Sequence, residues 1–554
     1  MASPDEAMRP QLVIPMTGLS SRFTAAGYER PKFMLEVDGQ TVIEHVLDMY
    51  PDWRDVVFVC NGIHLDDSRY DLRALLLARR PEARIVRLDG AVRGPGEAIL
   101  LARDAIALDK NVVVNYCDFT VQWNSDDLIR ALAVEGVDGV IPVYTGFHPH
   151  TVYSTSYAYV RMEGDRAVDI QEKQPWTDDP LSELASTGTY AFSSGRLLLA
   201  ALERQVELGL TLNDEYYLSL TYKPLLAEAR RIDVLMVEHF MQWGTPQDFE
   251  EYLDLSRGLE SWSRDRIIGR APSAPETSRV LLASGAGSRF ATAGYSKPKP
   301  ILPLSGTTVM EHALAGVPGD ETIVVTRGDL PDGGSIAAIA DLAGYAVVTL
   351  PGLSQGQAES ALAGLRALRS NSPVSIAACD ALLSIDRESF DRALDRAGDD
   401  GIVVWTAPPY PAAARQPEQY GWLSSSGIWL KQAPKDLDAR VMVGTFTFPS
   451  RDSAIAAIVE LMESGERLNG EFYLDSVARR MAEQGVPVVS FSALTYLSVG
   501  TPSEYETIRY WQSCFHKWVH HRYSLISDPL VPTSALADLD HRFRAFSPLY
   551  MGGF

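Results

Sequence analysis

The sequence predicts an α/β protein made of two tandem copies of one domain, each with a mostly parallel central sheet. Three observations carry this. A small-residue loop motif occurs twice with one internal spacing. Apolar strand-like runs alternate with helical patterns, the signature of a parallel sheet covered on both faces. The two halves of the 554-residue chain also correspond along almost their whole length, a length that points to at least two domains.

The loop is Gly18-Leu-Ser20-Ser21-Arg22-Phe-Thr-Ala-Ala-Gly27-Tyr28-Glu-Arg-Pro31-Lys32 in the first copy. In the second it is Gly285-Ala286-Gly287-Ser288-Arg289-Phe-Ala-Thr-Ala-Gly294-Tyr295-Ser-Lys-Pro298-Lys299. Each follows a short apolar run, so the order is strand, loop, helix or turn. Small residues let backbone N–H groups approach a phosphate closely. Arg22 and Arg289 add a planar fork for phosphate oxygens, and Lys32 and Lys299 a compact charge behind a stiffening proline. One such loop alone is a common turn, but the repeated spacing from Arg to Pro-Lys sets this pair apart. Ser20 stands where the second copy has Gly287, so close backbone approach is easier in the second.

Further pairs extend the repeat. Glu311-His312 matches Glu44-His45, and Cys379-Asp380 matches Cys117-Asp118. Gly444-Thr-Phe matches Gly188-Thr-Tyr, Leu468-Asn-Gly-Glu471 matches Leu212-Asn-Asp-Glu215, and Gly500-Thr-Pro502 matches Gly244-Thr-Pro246. The domains are placed at 10–257 and 279–509. A Pro- and Ser-containing linker is expected at 258–278 and an unduplicated aromatic- and His-rich tail at 510–554. In the first copy, strands are expected at 56–60, 85–88, 112–116 and 139–143, with helices at 69–80, 97–108 and 126–135. The insertion 148–187 is expected to form a lid or a small second sheet over the pocket. The tail is expected to pack against the body or a partner subunit, which makes a homo-oligomer possible.

Composition narrows the class. The net charge of −22 argues against nucleic acid or an anionic membrane as a partner. Four cysteines without a C-x-x-C pair argue against a zinc or redox motif and fit a reducing cytoplasm. No signal-peptide pattern or membrane-length apolar run is seen.

Each buried strand run ends in an acid, Asp118 or Asp380. Ligands of open α/β sheets bind at that end, and a hard carboxylate beside a triphosphate suits Mg²⁺; capping of the following loop is the plainer alternative. Gly94-Pro-Gly-Glu97 and Gly356-Gln357-Ala-Glu359 precede matching helices. They fit either nucleobase reading or ordinary helix capping. Lys173 and Lys431, each followed by Gln, are candidates for a second substrate's phosphate. His148-Pro-His150 reads as loop structure.

These motifs resemble the NTP-transferase superfamily, the nucleotidyltransferases that make sugar nucleotides. The first copy looks closest to a branch found with capsule and surface-polysaccharide genes, through Cys117-Asp-Phe, Glu172-Lys173, Gly188-Thr-Tyr, Glu215-Tyr-Tyr and Gln242-Trp-Gly-Thr-Pro. The resemblance implies a Rossmann-like, GT-A-like fold and transfer of NMP from an NTP to a phosphorylated sugar or small phosphomonoester, with release of pyrophosphate. CTP leads, with UTP or dTTP behind. It implies catalytic roles for Arg22, Lys32, Arg289 and Lys299, and Mg²⁺ at Asp118 and Asp380. Nucleotide binding falls to Gly18, Ser20, Ser21, Gly94, Glu97, Gly285, Ala286, Gly287, Ser288, Gly356 and Gln357. Acceptor binding falls to Lys173, Glu215, Lys431 and Glu471. A second metal Asp common in sugar-1-phosphate members is replaced by Gln242 and Ser498. One half catalytic with the other regulatory is an alternative. A GT-A glycosyltransferase is another, disfavoured because Asp118-Phe-Thr and Asp380-Ala-Leu lack its Asp-x-Asp.

Overall fold

The structure is a computed structural model and describes residues 9–269, 276–330 and 332–545. The middle of the expected linker (270–275) and the end of the tail (546–554) lie outside the described residues. The chain divides into two compact units, the first ending at Tyr252 and the second spanning Leu253–Ala545.

In the first unit the strands of the main sheet are β1 (Gln11–Met16), β2 (Val56–Asn61), β3 (Arg84–Leu88), β4 (Val112–Asn115), β5 (Gly139–Tyr144), β6 (Ala158–Glu163), β7 (Arg166–Glu172), β8 (Leu184–Ser186), β9 (Thr189–Phe192) and β10 (Ile232–Met236). Their order is β7-β6-β8-β5-β9-β4-β1-β2-β3, with β10 beside β5. The stretch β4-β1-β2-β3 is parallel, and β9 enters antiparallel between β4 and β5. β1, β2, β4 and β5 are buried throughout, which is why they read as continuous apolar runs rather than alternating ones. Asn115 is the polar exception in β4. Its carbonyl accepts from the Tyr50 hydroxyl at 2.8 Å and its amide donates to the Tyr116 carbonyl at 2.7 Å, so its burial leaves no polar group unpaired.

The second unit repeats the plan. Its strands are β11 (Ser278–Leu282), β12 (Glu321–Arg327), β13 (Ala346–Leu350), β14 (Val374–Ala378), β15 (Ile402–Ala407), β16 (Gly421–Ser424), β17 (Gly427–Leu430), β18 (Arg440–Phe448) and β19 (Val488–Ser492). The order β13-β12-β11-β14-β18-β15-β19 is that of the first unit's β3-β2-β1-β4-β9-β5-β10. The one nine-residue strand β18 replaces the separate β8 and β9.

Some repeated residues turn out to be structural. Glu44 and Glu311 close capping boxes with Thr41 and Thr308. The buried His45 and His312 tie their helices to the Val37 and Leu304 carbonyls. Phe23 and Tyr28 pack edge-on against Phe249, as Phe290 and Tyr295 do against Tyr505. The tyrosine hydroxyls also donate to Glu250 and Glu506. The aromatic half of the loop motif therefore anchors the phosphate loop to the helix that follows Gly-Thr-Pro.

Three expectations about organisation need revision. The insertion 148–187 forms neither a separate sheet nor a detached lid; β6, β7 and β8 extend the main sheet antiparallel from β5, covering what would be an open edge. The helix Pro246–Ser261 runs past the boundary expected at 257. The first residues of the expected linker are packing residues of this helix: Ser261 is buried, and a Cβ on Gly258 would lie 2.7 Å from Leu497. Strand Ile267–Ile268 then pairs with Ile385–Asp386, within the expected linker. Likewise the helix Pro502–Lys517 crosses the boundary expected at 509/510. The described part of the tail packs on the second unit, where Leu539 and Pro532 cover the Gly306 turn and Asp528 forms a buried ion pair with Arg266.

Candidate active site

In each unit the apolar strand β1 or β11 delivers the chain to the small-residue loop. Ser20 (φ 54°) and Gly287 (φ 64°) hold the left-handed position that opens the short helix, which needs no side chain and tolerates Ser at some strain. In the first unit the Ser20 hydroxyl accepts from the Lys32 N–H at 3.1 Å, so serine here ties the loop to the segment that carries Lys32. The Thr17 and Gly18 carbonyls are held by Asn61 and His64. Among the described residues no backbone acceptor takes the N–H groups of 18–21 or 285–288. A Cβ built on Gly18, Gly285 or Gly287 would meet no atom within 4 Å. The loop N–H groups therefore lack a backbone acceptor among the described residues and are available to an anion.

Arg22 and Arg289 stand exposed on this loop, and among the described residues neither guanidinium is held by a carboxylate. Lys32 and Lys299 are half-buried, and each donates to a carboxylate, Lys32 Nζ to Asp118 Oδ2 and Lys299 Nζ to Asp380 Oδ2, both at 2.5 Å. Burial works against the charge on both lysines, yet the neighbouring carboxylates outweigh it and raise their pKa values. Burial also works against ionisation of Asp380, but Lys299 pulls its pKa below the usual carboxylate value. In the second unit the two shifts keep the Lys299–Asp380 pair charged at neutral pH.

In the first unit these groups line one cleft of about 450 Å³. It holds the loop 17–22, Lys32, Asp118, Glu172, Lys173, Glu215, Gln242 and Asp248. Strand Phe119–Gln122 pairs with His239–Gln242, which sets Gln242 beside Asp118. Gly244 keeps the space around them clear, since a Cβ there would lie 2.9 Å from both Asp118 Oδ2 and Gln242 Nε2. Asp118 and Asp248 both line the cleft; their carboxylate oxygens are hard donors that fit a Mg²⁺ ion taking one or two carboxylates and completing its shell with water and phosphate.

Lys173 and Lys431 share an unusual backbone state, φ 58° in each. A non-glycine residue held there costs energy, and its recurrence at equivalent positions marks a site. Their N–H groups donate to the Tyr157 and Tyr420 carbonyls. Lys173 Nζ donates to the Tyr217 hydroxyl at 2.6 Å, while Lys431 Nζ donates to the Gln419 carbonyl at 2.8 Å. Burial and the nearby Glu215 and Glu471 carboxylates raise the pKa values of Tyr217 and Tyr473. Both glutamates follow tight turns whose central residues, Asn213-Asp214 and Asn469-Gly470, all have positive φ.

The glycines at the start of the helices Gly94–Leu101 and Gln357–Ala367 are packed against backbone. A Cβ on Gly94 would lie 3.0 Å from the Tyr216 backbone N, and one on Gly356 2.6 Å from the Phe472 N and O. They allow two backbones to meet, joined by Gly96 N to Tyr216 O and Ala358 N to Phe472 O, both at 2.9 Å. Glu97 and Glu359 accept from the Arg93 and Gln355 N–H groups, which is helix capping. Gly94 still borders the cleft, whereas Glu97 does not line it. Gln357 begins its helix as expected.

Sequence reasoning missed two groups. Asp248 and Glu504 lie four residues after the repeated Gly of Gly-Thr-Pro. Asp248 lines the cleft and accepts from the Thr245 hydroxyl at 2.7 Å. Glu504 is pushed up by burial and by Asp380, against Ser498 and Thr501. Alignment of the halves at Gly-Thr-Pro exposes this pair. Tyr157 and Tyr420 are the second omission; Tyr157 lines the cleft. His148 and His150 pack against Tyr144, and burial lowers both pKa values, His148 to about 3, in keeping with loop structure.

A Rossmann-like α/β unit with a donor loop, a free arginine, a lysine–aspartate pair and a second lysine on one cleft is the frame of an enzyme that handles nucleoside triphosphates. The MobA-like NTP transferase domain matches residues 12–172 and 279–427, more than half of the chain, and the chain belongs to this family. It is 30% identical over 179 residues to the bifunctional enzyme IspD/IspF of Allorhizobium ampelinum, covering 30% of this chain and 43% of that relative's length. Among solved structures it is similar to a nucleoside-diphosphate-sugar pyrophosphorylase from Vibrio cholerae RC9 (23% identity, 44% of this chain and 99% of that one, TM-score 0.37). It is also similar to the inositol-1-phosphate CTP transferase from T. maritima (16%, 43% and 96%, TM-score 0.33). No helix among the described residues is long and apolar enough to cross a membrane.

Proposed function

We propose that each unit is a nucleotidyltransferase that joins NMP from an NTP to a phosphorylated polyhydroxy acceptor. The acceptor phosphate oxygen forms a bond to the α-phosphorus, the bond from that phosphorus to the bridging oxygen breaks, and pyrophosphate leaves. The observation that carries this reading is the convergence, in both units, of an open donor loop, an unpaired arginine and a Lys–Asp pair. No nucleophilic side chain is required, because the acceptor phosphate attacks; positioning and charge stabilisation supply the rate.

The loop N–H groups and Arg22 or Arg289 hold the triphosphate. Lys32 or Lys299 lies at the cleft floor within reach of the reacting phosphate, with Asp118 or Asp380 fixing it. Mg²⁺, held by Asp118 or Asp380, would neutralise charge on the triphosphate oxygens. Lys173 and Lys431 hold the acceptor phosphate, and Glu215 and Glu471 orient the tyrosines beside them. In the first unit Glu172 adds an acceptor for a substrate hydroxyl. CTP is the leading nucleotide, ahead of UTP and dTTP, and a surface-polysaccharide precursor made in the cytoplasm is the leading product. Pyrophosphate release by the full chain should require Mg²⁺, one NTP and one acceptor together. Turnover of NTP with no dependence on any sugar phosphate or polyol phosphate contradicts the proposal.

A further inference from the structure

The two acceptor sites keep one carboxylate beside the lysine, but the carboxylate comes from different elements. In the first unit Glu172 ends β7, next to Lys173, and accepts from the Ser219 hydroxyl at 2.6 Å. In the second unit the residue before the lysine is Leu430, so this carboxylate is gone. Ser219 is in turn replaced by Asp475, since Glu215-Tyr-Tyr-Leu-Ser219 corresponds to Glu471-Phe-Tyr-Leu-Asp475. A third change accompanies these two. Ala158, which lines the first cleft and follows Tyr157, is matched by Gly421 after Tyr420. A Cβ on Gly421 would lie 2.3 Å from Met442 Cε and 2.7 Å from Asp475 Oδ2, so the missing methyl leaves room for both the Met442 side chain and the new carboxylate.

A plainer account of Asp475 is the first turn of the helix Leu474–Glu483, where an acid favours the helix dipole. Such an acid is stabilised as its anion. Here burial pushes the Asp475 carboxyl up to about 6, with Lys431 pulling the other way. The charge is thus held where it is costly, beside a lysine whose ammonium is turned to the Gln419 carbonyl. No side chain of the described residues hydrogen-bonds to the Asp475 carboxylate.

We infer that Asp475 is the acceptor-recognising carboxylate of the second unit, receiving a hydroxyl of a polyhydroxylated phosphomonoester from the helix side of the site, where the first unit uses Glu172 from the strand side. Because the two positions are hydrogen-bond partners in the first unit, the exchange moves the carboxylate across the pair and offers it to a different hydroxyl. The two units therefore take different acceptors. This rests on the reading of both units as nucleotidyltransferases.

The test uses the full chain with Asp118→Ala and Lys173→Ala, so that the first unit's site is disabled. Calorimetric binding is measured for inorganic phosphate, glucose 1-phosphate, glycerol 3-phosphate, ribitol 5-phosphate and inositol 1-phosphate, with and without Asp475→Asn. At least one organic phosphate should bind more tightly than inorganic phosphate, and Asp475→Asn should weaken it about 10- to 100-fold while leaving inorganic phosphate unchanged. A purely structural aspartate would move all five ligands alike. Adding Leu430→Glu to Asp475→Asn should restore binding with the order of preference of the first unit. The inference is overturned if no organic phosphate exceeds inorganic phosphate, or if Asp475→Asn leaves the preference intact. Pyrophosphate release on the same chain separates the two claims. Asp475-dependent binding without release with any NTP sinks catalysis in the second unit and leaves the inference standing. Release that ignores Asp475→Asn sinks the inference alone.

Discussion

The two units differ least at the phosphate loop and most at the acceptor. Both keep the arginine, the Lys–Asp pair with the same 2.5 Å contact, and the lysine at φ 58°. Beyond that lysine, Glu172 and Ser219 become Leu430 and Asp475, and the lysine changes its own partner from a tyrosine hydroxyl to a backbone carbonyl. On the proposed function, the comparison teaches that triphosphate handling rests on backbone geometry and a few cations, which a duplicate inherits whole, whereas acceptor choice rests on single side chains that can be exchanged across a hydrogen bond.

The largest stability difference between the copies is expected at Gly356 and Gly94, at the start of the helices Gln357–Ala367 and Gly94–Leu101. Gly356→Ala places a Cβ 2.6 Å from fixed Phe472 backbone at φ 133°, and should destabilise the second unit by about 2–4 kcal/mol. Gly94→Ala meets Tyr216 at 3.0 Å and φ 84°, and should cost the first unit less, about 1–2 kcal/mol. Thermal unfolding of each variant reads this directly; equal losses would mean that the two contacts are not as unlike as their geometry states.

A smaller effect separates the acceptor sites by pH. The Asp475 carboxyl is raised to about 6 in the folded chain, against about 3.9 unfolded. Between these values the folded state holds a proton that the unfolded state has released, so stability of the second unit should fall as pH rises from about 4 to about 6. Asp475→Asn should remove that dependence and stabilise the unit at pH 7. Burial raises Glu172 as well, against Ser219 and Lys173, so Glu172→Gln should act with the same sign in the first unit. Chemical denaturation across pH 4–7.5 measures both, and an unchanged slope in either variant would count against its carboxylate.

Much of this was legible in the chain. The repeated loop, the strand-end Asp118 and Asp380 and the Lys-Gln pair could be found because backbone-driven anion binding needs small residues at fixed spacing. Gly94 and Gly356 were legible as special but not in purpose: a glycine that admits another backbone looks in sequence like one that admits a phosphate. The stretch from Gly258 to Ser261 read as linker because small residues serve both loops and tight helix packing. The insertion gave strand patterns but not its sheet, since edge pairing depends on which edge is open. Asp248 and Glu504 were hidden by their local role as helix caps. The Glu172–Asp475 exchange joins positions 303 residues apart in the numbering and becomes visible only when Ser219 is seen bonded to Glu172.

The central claim is that the chain carries two independent nucleotidyltransferase sites with different acceptors. Its most direct test is pyrophosphate release by wild type, Asp118→Ala, Asp380→Ala and the double variant, with each common NTP and the same acceptor panel. Each single variant should lose one acceptor's reaction by at least about 100-fold and keep the other, and the double variant should lose both. A double variant with undiminished release, or one single substitution that abolishes every reaction while the other changes none, would contradict it.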